Sequence, residues 1–396
     1  MIDDIRLLKN IKTYLPIVCL DNFVDNQNSQ IIDWGIRQNK IPETWKSSEG
    51  EGIKIAVIDT GHVFHEDIGD NSIIGENFID NEPMEDLNGH QSHCTGIICA
   101  KNNTFGMVGV APKAKCISIK ALGKNGSGTF RGLVKALDYA IKIKPDIVSM
   151  SLGAPQPNSL IHDKIKQLYA MNIPVVCAAG NSGPRGVNWP AAYPETIAVT
   201  AYNKQGEISN FSSRGEQLDW AAPGEKIYST YLRNSYAVLS GTSMACPFVA
   251  GIIALMLSKH KQQEKETGQN DCKTIKQILE HLKKYTLDRG DEGKDSDWGY
   301  GIININKLIQ DYDQTQPPGP NPPLDPKPQP EPKPDSEFLK RNLAWIIFGA
   351  FIVISITIYA VSITKSSNPA PYIDQKGNVD WDKKFELEKN ENRRLD

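Results

Sequence analysis

Five apolar runs punctuate the middle of the chain: IKIAVID (53–59), KCISIKAL (115–122), DIVSMSL (146–152), IPVVCAA (173–179) and TIAVTAY (196–202). Each is close to continuous rather than alternating, the pattern of strands buried on both faces. Between them the apolar positions change to helical spacing. Over 129–144, Leu133, Leu137, Ala140 and Ile141 fall on one face, and 159–171 is a second amphipathic stretch. Strand alternating with helix predicts an α/β fold, a mostly parallel central sheet with helices on both faces, over residues 30–311. Residues 1–29 form a short polar extension around one apolar patch, YLPIVCL.

The pattern breaks after 311. Residues 312–336 carry ten prolines between 317 and 334, which predicts an extended, semi-rigid linker rising about 3 Å per residue. Residues 342–364, NLAWIIFGAFIVISITIYAVSIT, hold no charge. At about 1.5 Å per residue the run is long enough to cross a hydrocarbon core of about 30 Å. Trp345 and Tyr359 stand near its ends, where aromatic belts form. A single C-terminal transmembrane helix in contact with the lipid bilayer is therefore expected, followed by a charged tail, 365–396. Lys340 and Arg341 precede this run and Lys365 follows it, a bias that favours a cytoplasmic domain. MIDDIRLLKN offers no apolar signal segment, in agreement.

The 396 residues hold 44 Lys and Arg against 47 Asp and Glu, a net charge of −3, which excludes a polybasic nucleic-acid binder. Apolar residues make up 39%, enough for a core. Seven cysteines, at 19, 94, 99, 116, 177, 246 and 272, lack the paired spacing of a disulfide framework, so free thiols are expected.

Three islands carry candidate chemistry. Asp59 ends a buried strand in Ala56-Val57-Ile58-Asp59-Thr60-Gly61, where α/β sheets place their sites. Asn88-Gly89-His90-Gln91-Ser92-His93-Cys94-Thr95-Gly96 puts a histidine at a helix start, as a general base or a core residue. In Leu239-Ser240-Gly241-Thr242-Ser243-Met244-Ala245-Cys246-Pro247 a serine opens an apolar helix, with Pro247 expected in the first turn.

In the order Asp59, His93, Ser243 the chain resembles the subtilisin-like serine proteases, through IAVIDTG, GHQSHCTG and GTSMACPFVAG. AAGNSG (178–183), SMSLG (149–153), NNTFGMVGVAP (102–112), GSG (126–128), AAPG (221–224) and GYGIIN (299–304) extend the likeness over 30–311. Residues 1–29 resemble the short extension of the intracellular branch. The resemblance implies a serine endopeptidase in which Ser243 attacks a peptide carbonyl, His93 moves the proton and Asp59 orients the ring. It implies that Asn181 donates to the oxyanion. Gly126-Ser127-Gly128 and Ser151-Leu152-Gly153 would be two edges that sandwich an extended peptide substrate. It also implies structural calcium, held by the side chains of Gln30, Asp67 and Asn103 and the carbonyls of Lys101, Phe105 and Met107.

Gln91 and Ser92 depart from the usual Gly and Thr, and a larger Gln91 is expected to crowd the catalytic histidine. Cys246 and Phe248 depart in the serine motif, and Cys94 adjoins His93. Two other readings remain. One is a peptide-binding scaffold with weak catalysis; the other is a zinc hydrolase using His62-x-x-His65 and His90-x-x-His93.

Overall fold

The computed structural model describes residues 12–15, 19–24 and 29–315. Most of the predicted linker, the transmembrane span at 342–364 and the tail lie outside the described residues. The chain opens with β1 (Lys12–Tyr14), β2 (Cys19–Val24), α1 (Trp34–Gln38), β3 (Lys54–Asp59) and β4 (Ser72–Asn77). There follow α2 (His90–Cys99), β5 (Lys115–Lys120), β6 (Ser127–Thr129), α3 (Phe130–Ile143), β7 (Ile147–Met150), α4 (Ser159–Ala170), β8 (Val175–Ala178) and β9 (Ile197–Tyr202). The remainder is β10 (Trp220–Pro223), β11 (Ile227–Thr230), β12 (Tyr236–Ser240), α5 (Thr242–Thr267), α6 (Ile275–Lys284), β13 (Thr286–Leu287), β14 (Ile302–Ile303) and α7 (Ile305–Thr315).

Seven strands form one sheet in the order β10-β9-β8-β7-β3-β5-β4. Every pairing in it is parallel. The five apolar runs are all strands of this sheet. β3 explains why they read as continuous: Ile55 and Val57 pack into one apolar cluster with α2 and α5, while Ala56 and Ile58 pack into another with α3 and α4. Burial on both faces erases the two-residue alternation. β4 escaped the pattern because it lies at the sheet's edge, with Ile73 and Ile74 exposed.

The chain runs from β3 to β4 and β5 on one side, then crosses to β7, β8, β9 and β10 on the other. Order thus reverses at β3 and β7, and the crevice at their carboxyl ends is where such sheets place ligands. α5 runs through the core, and every residue from Thr242 to His260 is buried. It alone among the described residues is long and apolar enough to cross a membrane, and its apolar stretch is wholly buried inside the protein. α7 extends past the predicted boundary at 311, because Tyr312 is itself a buried core residue.

Candidate active site

Asp59 is the last residue of β3 and has no exposed surface. A carboxylate buried there must be hydrogen-bonded. Thr60 N–H donates to its Oδ1 at 2.7 Å, and His90 Nδ1 lies 2.8 and 2.9 Å from its two oxygens. Burial works against the charged His90 ring, but the Asp59 carboxylate, with Cys94 beside it, outweighs this and holds the imidazole pKa well above the usual value of 6.5. The turn after Asp59 is tight. Gly61 has φ +141, and a Cβ there would lie 2.6 Å from Met84 O. Buried Lys120 donates to Thr60 O at 2.5 Å and pairs with Glu82 at 3.3 Å.

His93, the expected base, does not meet Asp59. Its Nε2 lies 3.0 Å from Ile227 O and 3.1 Å from Ala237 O, so that nitrogen carries the proton and ties α2 to β11 and β12. Burial, and then the charge of His90, push its pKa down to about 3. The reason is position along the helix. His90 is the first residue of α2, at the mouth of the crevice, whereas His93 is three residues on, about 4.5 Å deeper along the axis. The signal was available in the sequence: a group acting at the carboxyl ends of strands belongs at the helix start. Gln91 does not crowd the site either, since its buried Oε1 accepts from Gly61 N–H at 2.9 Å.

Asp86, also missed, organises this end of α2. The helix begins after Gly89, which has no side chain to cap it. Asp86 Oδ1 accepts from Asn88 N–H and Gly89 N–H at 3.0 Å each and from Thr60 Oγ1 at 2.8 Å. Its Oδ2 accepts from Ser92 N–H at 2.8 Å and Ser92 Oγ at 2.7 Å. One buried carboxylate therefore joins the Asp59 turn to the His90 helix.

Ser243 is the second residue of α5 and is fully buried. Pro247 lies at the sixth helical position, deeper than expected. It has no N–H to donate to the carbonyl four residues earlier, which is that of Ser243. Ser151 Oγ takes that carbonyl at 2.8 Å, and Cys94 Sγ approaches it at 3.4 Å. The broken helical bond thus fastens the serine turn to the β7 end and to α2. Ser243 Oγ makes a long contact, 3.4 Å, to Ser151 O, and His90 Nε2 is buried with no hydrogen-bond partner. Asn181 stands beside the same turn. Its Oδ1 accepts from Thr242 N–H at 2.9 Å and Thr242 Oγ1 at 2.8 Å.

The two predicted edges flank one groove, and the chain's own β1 lies in it. β1 pairs antiparallel with β6, matching Thr13 to Gly128 and Tyr14 to Ser127. Tyr14 N–H donates to Gly153 O at 3.1 Å, Gly153 N–H donates to Tyr14 O at 3.0 Å, and Leu15 N–H donates to Gly126 O at 2.9 Å. Glycine at 128 is obligatory, since a Cβ would come within 2.2 Å of Ala121 O. Ser151 and Leu152 are buried beneath this sandwich.

The predicted calcium residues also converge, Phe105 through its N–H rather than the expected carbonyl. Gln30 Nε2 donates to Lys101 O at 2.9 Å, Asn103 Oδ1 at 3.2 Å and Met107 O at 3.3 Å. Asn103 Nδ2 donates to Asp67 Oδ1 at 2.7 Å, Met107 N–H to Asp67 Oδ2 at 2.7 Å, and Phe105 N–H to Asn103 Oδ1 at 2.9 Å. Three oxygens gathered on one amide donor, with a carboxylate alongside, make an oxygen set that suits a hard cation. The two histidine pairs do not come together: His62 Nδ1 faces the Ser72 hydroxyl at 3.2 Å and His65 Nε2 faces Ser235 O at 2.9 Å, while His90 groups with Asp59 and Cys94 and His93 Nε2 meets two carbonyls.

Residues 50–301 match the family described as the Subtilase family. The chain is 39% identical over 298 residues to the intracellular serine protease of Paenibacillus polymyxa, covering 72% of this chain and 89% of that protein. It is 36% identical over 280 residues to thermitase of Thermoactinomyces vulgaris, covering 70% of this chain and 95% of thermitase. It is 38% identical over 283 residues to the minor extracellular protease Epr of Bacillus subtilis (strain 168), covering 70% of this chain but only 42% of Epr. By this match over most of its length and by its relatives, in keeping with its seven-stranded parallel sheet, the chain belongs to the subtilase family of serine endopeptidases.

Proposed function

We propose that this chain hydrolyses peptide bonds with Asp59, His90 and Ser243 as its triad, held at a membrane by residues 342–364. The observation that carries the chemistry is the hydrogen bonding of His90 Nδ1 to the fully buried Asp59 carboxylate. For attack, Ser243 Oγ must leave Ser151 O and turn about its Cα–Cβ bond toward the unpartnered Nε2 of His90. With the ring neutral, above its raised pKa, Oγ attacks the substrate carbonyl while Nε2 takes its proton, and Asp59 stabilises the imidazolium. The imidazolium gives the proton to the leaving amine, and water hydrolyses the acyl-enzyme by the same route. Asn181 Nδ2 and the Ser243 N–H donate to the oxyanion.

A substrate strand would bond to the edges as β1 does. In the antiparallel register that pairs Tyr14 with Gly153, a substrate residue two places further on lies opposite Ser151. Ser151 O touches Ser243 Oγ, so the bond after that residue is the one cut. β1 must leave before a protein or peptide substrate can bind.

Gln30, Asp67 and Asn103, with the carbonyls of Lys101, Phe105 and Met107, would hold a calcium ion. Bound there, it supplies a fixed positive charge that draws these loops together. The uncharged span at 342–364 and the flanking Lys340, Arg341 and Lys365 support a bilayer anchor with the catalytic domain on the cytoplasmic side.

Four outcomes test these readings. Ser243→Ala and His90→Ala each lower kcat/KM on the order of 10⁴-fold and abolish labelling by a fluorophosphonate, whereas His93→Gln, which keeps an N–H donor, changes kcat/KM less than tenfold. Equal losses for the two histidines would return the base to position 93. Tyr14→Pro, which removes the N–H bonded to Gly153, speeds fluorophosphonate labelling of the full chain about tenfold; an unchanged rate would mean that β1 does not block the groove. Added calcium raises the melting temperature of the wild type by several degrees, and Asp67→Asn removes that dependence; a calcium response that survives in the variant refutes the assignment. The full chain stays with membranes through an alkaline wash and the 1–336 fragment does not; a soluble full chain would end the anchor reading.

A further inference from the structure

A second group of chemistry-bearing side chains lies where α5, α6 and α7 meet. His260 is on α5, Asp271 and Cys272 are in the connection to α6, and His281 is in the last turn of α6. One ligand atom from each, nitrogen, oxygen, sulfur and nitrogen, lies within 4.8 Å of the others. None of the four takes part in the triad, the groove or the oxygen set of Gln30 and Asp67.

We propose that His260, Asp271, Cys272 and His281 form a tetrahedral site for a transition-metal dication, best matched by Zn²⁺. Two imidazoles, a thiolate and a carboxylate are the donors that zinc takes, and tetrahedral zinc separates its ligand atoms by roughly 3.3–3.8 Å. His260 Nδ1 is 2.8 Å from Asp271 Oδ1, and His281 Nε2 is 3.3 Å from Asp271 Oδ2. Thiolate and carboxylate together bring two negative charges, which neutralise the ion.

Three further features fit ligation. His260 is 1% exposed, its Nδ1 faces Asp271 Oδ1 and its Nε2 has no hydrogen-bond partner. A histidine so buried ordinarily spends its ring nitrogens on hydrogen bonds. His281 is already in the required tautomer: Nδ1–H donates to Gln277 O in its own helix at 2.9 Å, leaving the Nε2 lone pair directed at the cluster. Tyr312 OH, 2.9 Å from that Nε2 and 3.1 Å from Asp271 Oδ1, covers the lone pair. Metal displaces it there, and the hydroxyl keeps Asp271 as an outer partner. Asp271 and His281 line a surface pocket of about 330 Å³, so an ion reaches the cluster from solvent. On binding, the Cys272 thiol proton leaves to solvent.

The metal would pin the end of the core helix to α6, and through Tyr312 to α7. The test is titration of the full chain with Co²⁺, then competition by Zn²⁺. One equivalent gives the intense visible bands of tetrahedral cobalt with a thiolate charge-transfer band, and Zn²⁺ bleaches both. Cys272→Ser loses the charge-transfer band, and His281→Gln, at a partly exposed position, binds at least tenfold more weakly. Cys94→Ser, which alters the thiol beside Asp59 and His90, leaves the spectrum intact. A weak octahedral spectrum, or a charge-transfer band that survives Cys272→Ser and disappears in Cys94→Ser, overturns the proposal. If Cys272→Ser does not fold, His281→Gln with wild-type affinity overturns it equally.

Discussion

A carboxylate with no exposed surface at the end of the central strand sets the terms for everything around it. Asp59 must be matched by donors because water cannot reach it, and a lone buried charge would cost several kcal/mol. The donors are the next backbone N–H and the ring of His90. That requirement places the first residue of α2 against the end of β3 and fixes which nitrogen of the imidazole carries its proton. The other nitrogen is left buried without a hydrogen-bond partner.

The parts that hold this pair do so through bonds the regular elements leave open. Gly89 cannot cap α2, and Asp86 does so from three residues upstream while also holding the Thr60 hydroxyl. Pro247 cannot close its helical bond, and the vacated Ser243 carbonyl is taken by Ser151. In each case a local interruption becomes a tertiary link between the elements that carry Asp59, His90 and Ser243. Each nonetheless buries a polar group that has exactly one set of neighbours able to satisfy it, so misplacement of any of these elements is penalised.

The groove obeys the same accounting of backbone groups. Two glycine-bearing edges expose unpaired N–H and C=O groups, and an unpaired edge accepts whatever strand is at hand. β1 is tethered in the same chain and so meets them at high effective concentration. The extension therefore satisfies the edges, and under the proposed function it competes with substrate.

The apolar runs of the buried strands were legible because burial on both faces leaves an unbroken signature, and β4 was not because half of it faces solvent. Asp59, Ser243, Asn181 and the two groove edges were legible as motifs, each carried by a short contiguous segment. The pairing of His90 rather than His93 with Asp59 was not expected, since the motif outweighed the helix-start signal; in the fold His90 packs against Asp59 and His93 against two carbonyls. The same holds for β1 in the groove and for the four side chains gathered from α5, α6 and their connection. Local sequence determines which residues prefer strand, helix or turn, because those preferences act over a few neighbours. Which titratable groups face one another depends on how distant segments pack, and that was decided only by the tertiary structure.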